Sequence, residues 1–140
     1  MYNIRLFQAI EIPIPSGNTL TRLFFQDQAQ LRNAAVNAIT LYTPGSITAT
    51  PVTGSTPATL ADLKKASLTL YSGDLQVIYN IPLLSLNNIS NGTDPWVFEL
   101  PMLDGIVISW VKSYIQFSTA PATTSTAVSF GVAYRLPNGL

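Results

Sequence analysis

The sequence predicts an all-β protein, an eight-stranded antiparallel sandwich, in a single domain spanning residues 1–140. Three observations predict it: apolar residues recur with period two, about eight such runs are separated by Pro-, Gly- and Thr-rich segments, and no long helical period is present. The single jelly roll is a natural arrangement of eight antiparallel strands. An immunoglobulin-like sandwich is the main alternative, although its Cys–Trp–Cys signature is missing.

The first third of the chain predicts three strands. Ile10, Ile12 and Ile14 alternate along the first strand, and residues 16–18 form a turn. Residues 20–26 follow as the second strand. Residues 27–36 fit either a helix or a strand, whereas the β-branched and aromatic run at 36–43 favours a strand.

The middle of the chain predicts a long loop followed by a hairpin. Residues 43–59 are rich in proline, glycine and threonine, which indicates a surface loop. Thr59 to Asp62 has the form of a capping box that starts one helical turn. Residues 66–71 and 75–82 then form a hairpin around Ser72-Gly73-Asp74. Alternation places the apolar side chains of its second strand on one face, namely Leu75, Val77, Tyr79 and Ile81.

The last third predicts three more strands. Residues 96–100 form the first, after a polar loop at 87–95. Residues 106–118 are apolar on both faces around Trp110, which indicates a buried central strand with Trp110 in the core. After a loop at 119–126, the final strand has the most regular alternation in the chain, with Val128, Phe130, Val132, Tyr134 and Leu136 on one face.

The composition argues against catalysis and against nucleic-acid binding. Histidine and cysteine are absent, which removes the commonest general base, thiolate chemistry and the usual zinc ligands. Seven basic residues balance seven acidic ones, and no basic run exceeds Lys64-Lys65, so a phosphate backbone finds no concentrated positive field. We therefore expect no enzyme activity, no cofactor and no direct contact with nucleic acid.

Two oxygen-rich segments have an ordinary structural explanation. Asp94, Glu99 and Asp104 could in principle supply the acid and base carboxylates of a glycoside hydrolase. Pro95, Pro101 and Gly105 mark the same stretch as turns, so we interpret these acidic residues as loop ends that cap turns. A calcium loop at 87–94 would hold a single carboxylate, whereas calcium prefers several. We expect solvated turns and no metal.

Low charge and abundant aromatic residues leave two functional classes open. Only 10% of residues are charged while 47% are hydrophobic, which is typical of a subunit whose surface is covered by neighbours. The alternative is a receptor- or carbohydrate-binding sandwich, with Trp96, Trp110, Tyr71, Tyr79 and Tyr114 as a stacking platform. Positions inside alternating strands favour core packing for most of these aromatic residues.

Four segments resemble a known group of proteins. Residues 36–43, residues 61–84 and the pair 110–117 with 128–132 are similar to small virion proteins of icosahedral, membrane-containing bacteriophages. The resemblance implies a single jelly-roll capsid subunit of the vertex (penton) type, assembling as a pentamer beside a major capsid protein. It further implies contact with a spike protein or the internal membrane, and location in the virion after synthesis in the host cytoplasm without a signal peptide.

The N-terminal segment is the predicted subunit interface. Extended terminal segments can add to the sheet edge of a neighbour. The candidate interface residues are apolar members of this segment, namely Tyr2, Ile4, Phe7, Ile12 and Ile14.

Overall fold

A computed structural model describes residues 6–42, 56–86, 106–121 and 125–136 of the protein. Within these ranges the chain forms eight strands and one short α-helix, α1 (Leu60–Leu63). The strands are β1 (Leu6–Ile14), β2 (Arg22–Phe24), β3 (Ala35–Tyr42), β4 (Ala66–Ser72), β5 (Leu75–Pro82), β6 (Ile106–Val107), β7 (Tyr114–Phe117) and β8 (Thr126–Arg135). Short 3₁₀ helices lie at Ala29–Leu31, Leu83–Leu86 and Trp110–Lys112.

The strands form two four-stranded antiparallel sheets. Sheet A has the order β1-β8-β3-β6 and sheet B the order β2-β7-β4-β5. Strand β1 pairs with β8, β2 with β7, β3 with β6 and β4 with β5, as in a long hairpin rolled up on itself. This nested pairing is that of a jelly roll. The predicted eight-stranded antiparallel sandwich is therefore confirmed.

One apolar cluster joins the inner faces of the two sheets. Opposite residues of β1 and β8 supply much of it, since Ile10 pairs with Phe130 and Ile12 pairs with Val128. Alternation along these strands puts their even-numbered residues on the inner face. The predicted face of β8 is confirmed from Val128 to Tyr134, whereas Leu136 lies beyond the strand and is partly exposed.

The N-terminal half agrees with its predicted elements and resolves the open stretch. The second strand is shorter than expected, Arg22–Phe24, and residues 27–36 contain a single 3₁₀ turn at Ala29–Leu31 before β3 begins. The predicted cap is confirmed, because the Thr59 hydroxyl accepts a hydrogen bond from the Asp62 backbone N–H.

The predicted hairpin forms, but the predicted apolar face of β5 is wrong. Register shifts occur against β4 on both sides of Leu70. Each shift leaves one more residue on β5 than on β4, and each extra residue reverses the alternation that follows it. Val77 is consequently buried together with its neighbour Ile78, while Leu75 and Tyr79 are exposed.

The predicted continuous strand over 106–118 is also wrong. It is divided into β6, the 3₁₀ helix Trp110–Lys112 and β7. The placement of Trp110 in the core is nevertheless confirmed, because its ring is 3% exposed and packs edge-on against Phe25. The predicted strand at 96–100 and most of the loop at 43–59 lie outside the described residues.

Candidate functional site

The predicted interface residues separate into three groups in the structure. Tyr2 and Ile4 lie outside the described residues. Ile12 and Ile14 are 1% and 0% exposed and pack between the sheets, so their side chains belong to the core of the subunit itself. Phe7 is 45% exposed. The difference follows from strand parity, because Phe7 is odd-numbered on a strand whose even-numbered residues face inward.

Exposed large apolar side chains occur on all four edge strands of the described sheets. In sheet A the edges are β1 and β6, and in sheet B they are β2 and β5. The exposed side chains on them are Phe7 on β1, Val107 on β6, Phe24 on β2, and Leu75 and Tyr79 on β5. The four central strands carry no exposed large apolar residue within the described ranges. The sequence does not predict this pattern, because alternation shows which residues share a face but not which strands lie at the edge of a sheet.

The outer face of sheet B carries a cluster of one cation and two rings. Arg22 lies opposite Gln116, and Phe24 lies opposite Tyr114. The Arg22 guanidinium carbon stands 4.2 Å from the centre of the Tyr114 ring, and its Nε donates to Gln116 Oε1 at 2.9 Å. The Phe24 and Tyr114 rings meet edge to face with their centroids 5.5 Å apart. These contacts fix the direction of the arginine on an exposed surface.

A groove of about 530 Å³ lies on the same face, beyond Gln116. Four elements form it: the end of α1, the two central strands β4 and β7, and the end of the edge strand β5. Six of its lining residues are polar or basic, namely Lys64, Lys65, Ser67, Asn80, Gln116 and Ser118. Its described lining residues include no acidic one.

The two lysines of the groove differ in their partners. Lys65 Nζ lies 3.5 Å from Asp62 Oδ1 and donates to the Thr119 hydroxyl at 2.9 Å and the Ala120 carbonyl at 3.2 Å. Lys64, the residue that ends α1, makes no ion pair with any described carboxylate. Lys64 therefore brings to the groove a positive charge that no described carboxylate pairs.

The remaining candidates do not form a chemical centre in the described ranges. No three acidic side chains come together there as metal ligands. Asp94, Glu99, Asp104 and the loop at 87–94 lie outside those ranges. Of the platform aromatics, Trp96 also lies outside them, Trp110 and Tyr114 are buried, Tyr71 is half-buried and Tyr79 is exposed, so these rings do not form one exposed plane. The α-helix in the described part of the chain has four residues, and no described helix is long and apolar enough to span a bilayer.

Comparison with known proteins does not extend this description. No protein-family model, no curated protein and no solved structure matches the chain. The resemblance to bacteriophage virion proteins therefore stays a prediction from the sequence, and what the structure establishes is an all-β sandwich of two four-stranded antiparallel sheets.

Proposed function

We propose that the protein is a capsid structural subunit that works by assembly, forming a pentamer at a vertex and contacting a major capsid protein around it. The observation that carries the proposal is the exposure of large apolar side chains on every edge strand of the sandwich. Apolar residues on free strand edges are a liability in a monomer, and monomeric sheet proteins usually cover such edges or charge them. They are a ready means of association in a subunit.

The distribution of charged residues over the edge strands also supports association through these edges. Strands β5 and β6 contain no charged residue at all, and each of the other two edges carries one, Glu11 on β1 and Arg22 on β2. A neighbouring subunit can therefore pack on the β5 and β6 edges without burying an unpaired charge. In a pentamer an edge of one subunit would meet a different edge of the next, because head-to-tail contacts are the kind that close into a ring when the rotation between neighbours completes a full turn.

Solution mass tests the proposal directly. We expect the purified chain to assemble with rising concentration toward five chain masses, measured by light scattering. A Val107→Lys variant places a charge on the β6 edge, and we expect it to remain monomeric at concentrations where the parent chain assembles. Val111→Lys is the matched control, because Val111 is exposed on the 3₁₀ helix and lies on no strand edge. A parent chain that stays monomeric at every concentration would overturn the proposal.

A receptor- or carbohydrate-binding module is the second candidate. The observation that favours it is the groove on sheet B, where hydrogen-bonding side chains lie beside Lys64, a lysine that pairs with no described carboxylate. The groove shares β5 with the proposed contacts through Asn80 and Pro82, whereas its other lining residues lie outside the edge strands.

A further inference from the structure

The groove on sheet B has the charge of an anion-binding site. Lys64 and Arg22 have no carboxylate partner in the part of the chain that the structure describes, and Arg22 borders the groove through its hydrogen bond to Gln116. The contact with the Tyr114 ring orients Arg22 without neutralising its positive charge. Two cations at a recess without acidic residues select for a negatively charged group.

The hydrogen-bonding groups of the groove suit hydroxyls. The side-chain amide of Asn80 offers donors and an acceptor, and Ser67 and Ser118 each offer a hydroxyl that does both. The Gln116 amide accepts from Arg22 Nε and donates to the Phe117 carbonyl, so one N–H and one oxygen lone pair are left for a ligand. A sugar hydroxyl is likewise both donor and acceptor, so it can be matched at each of these positions. Apolar surface from Ala66, Pro82 and the carbon chains of the other lining residues makes up the larger part of the lining.

The adjoining edge of β5 is unsuited to an added peptide strand. Pro82 lacks a backbone N–H, and the Asn80 backbone has a positive φ of 57° within the bulge. The Asn80 N–H is already used, because it donates to the Thr69 hydroxyl at 3.2 Å. A bulged, proline-ended edge presents no regular ladder for a peptide. The side chains of the sheet face, rather than its edge, must therefore recognise the ligand.

We propose that the groove binds an acidic oligosaccharide, with a carboxylate or sulfate of the sugar at Lys64 and its hydroxyls on Asn80 and Gln116. Ion pairing through Lys64 supplies a charge-assisted hydrogen bond, and the amides supply orientation. The inference does not depend on assembly, because none of these groups belongs to the exposed apolar residues of the edge strands.

Titration with defined oligomers tests the inference, using the full chain and calorimetry or NMR shifts. We expect trigalacturonate to bind at least about tenfold more tightly than its uncharged counterpart, trigalactose, because a charged hydrogen bond is the stronger kind. Lys64→Met should remove that preference. Lys112→Met is the matched control, since Lys112 is an exposed lysine outside the groove, and it should bind like the parent chain.

A second variant tests the hydroxyl contacts. Asn80→Gly keeps the positive φ while deleting the amide, so the fold is preserved, and it should weaken trigalacturonate binding by about tenfold, the loss of one good hydrogen-bonding group. Equal binding of pentaglutamate would identify an acidic-peptide site, and equal binding of sodium sulfate alone a plain anion site; either result overturns the proposal. Absence of binding by all probes at concentrations of about 10 mM, beyond the range of weak specific affinities, would overturn it as well. Lys64→Met should keep the oligomeric mass of the parent chain, so that a loss of binding in this variant does not come from a failure to assemble.

Discussion

The hydroxyl of Ser113 accepts a hydrogen bond from the backbone N–H of Tyr71, with 3.0 Å between Oγ and N. The same hydroxyl donates to the Ser109 carbonyl at 2.9 Å, and the Ser109 backbone N–H in turn donates to the Tyr71 carbonyl at 2.7 Å. The ladder between β4 and β7 ends at the pair of Thr69 and Tyr114. The two serines therefore satisfy both backbone groups of Tyr71 just where its neighbouring strand stops.

Removing this hydroxyl should destabilise the fold. Ser113 is completely buried, so Ser113→Ala leaves the N–H of Tyr71 without its acceptor in a place that water does not reach. We expect the free energy of unfolding to fall by about 1–3 kcal/mol, the usual cost of a stranded buried donor. Denaturant titration measures it. Ser85→Ala is the control, because that hydroxyl donates to the Pro82 carbonyl at the surface, and its effect should stay within about 0.5 kcal/mol. Equal stability of Ser113→Ala and the parent chain would show that the link is not needed.

This link also explains why the segment from Ile106 to Ser118 could not be assigned from the sequence. Its apolar residues satisfy the pattern of a buried strand. The break depends on two serines that bond to a strand about 40 positions earlier in the chain, and such tertiary contacts leave no periodic signal. Trp110 was nevertheless placed correctly, because a tryptophan in a segment apolar on both sides is buried in a strand or in a tight turn alike.

In the hairpin, local residue types predict the turn, whereas tertiary packing determines which side chains of β5 are exposed. Ser72-Gly73-Asp74 marks a turn through its residue types, and Gly73 has the positive φ of 61° that glycine adopts without strain. The bulges of β5 depend on how its side chains fit those of β4, so the exposure of Leu75 and Tyr79 was missed. The candidate sites could not be predicted from local sequence for the same reason, since both the edge strands and the groove arise from the order of strands in the sheets.

The Trp110 ring should contribute to stability through its size and not through its N–H. It packs against Phe25 with ring centroids 5.1 Å apart, and its Nε1 is buried without a hydrogen-bond partner among the described residues. Trp110→Ala should lower the free energy of unfolding by roughly 3–5 kcal/mol, as large-to-small core changes do. Trp110→Phe keeps an aromatic ring beside Phe25 and deletes the unpaired donor, so its loss should be clearly smaller.

Thermal unfolding followed by circular dichroism distinguishes the two variants of Trp110. A melting temperature of Trp110→Ala equal to that of the parent chain would contradict the core assignment. A Trp110→Phe variant as unstable as Trp110→Ala would show instead that the indole N–H has a bonding role.

The carboxylate of Asp74 should titrate below its usual value of 3.8, because Lys112 Nζ donates a hydrogen bond to Oδ1 at 2.6 Å and adds its positive charge nearby. A lowered pKa in the folded state means that the contact stabilises the fold at pH values above the unfolded pKa, and that this contribution is lost as pH falls through the folded pKa. Lys112→Met should raise the pKa of Asp74 toward 3.8, measured by NMR of the side-chain carboxyl. Asp27 serves as the internal control, since its pKa is lowered by a hydrogen bond from Arg32 and should not move in the variant. An Asp74 titration that is identical in both chains would show that Lys112 does not hold the hairpin turn in solution.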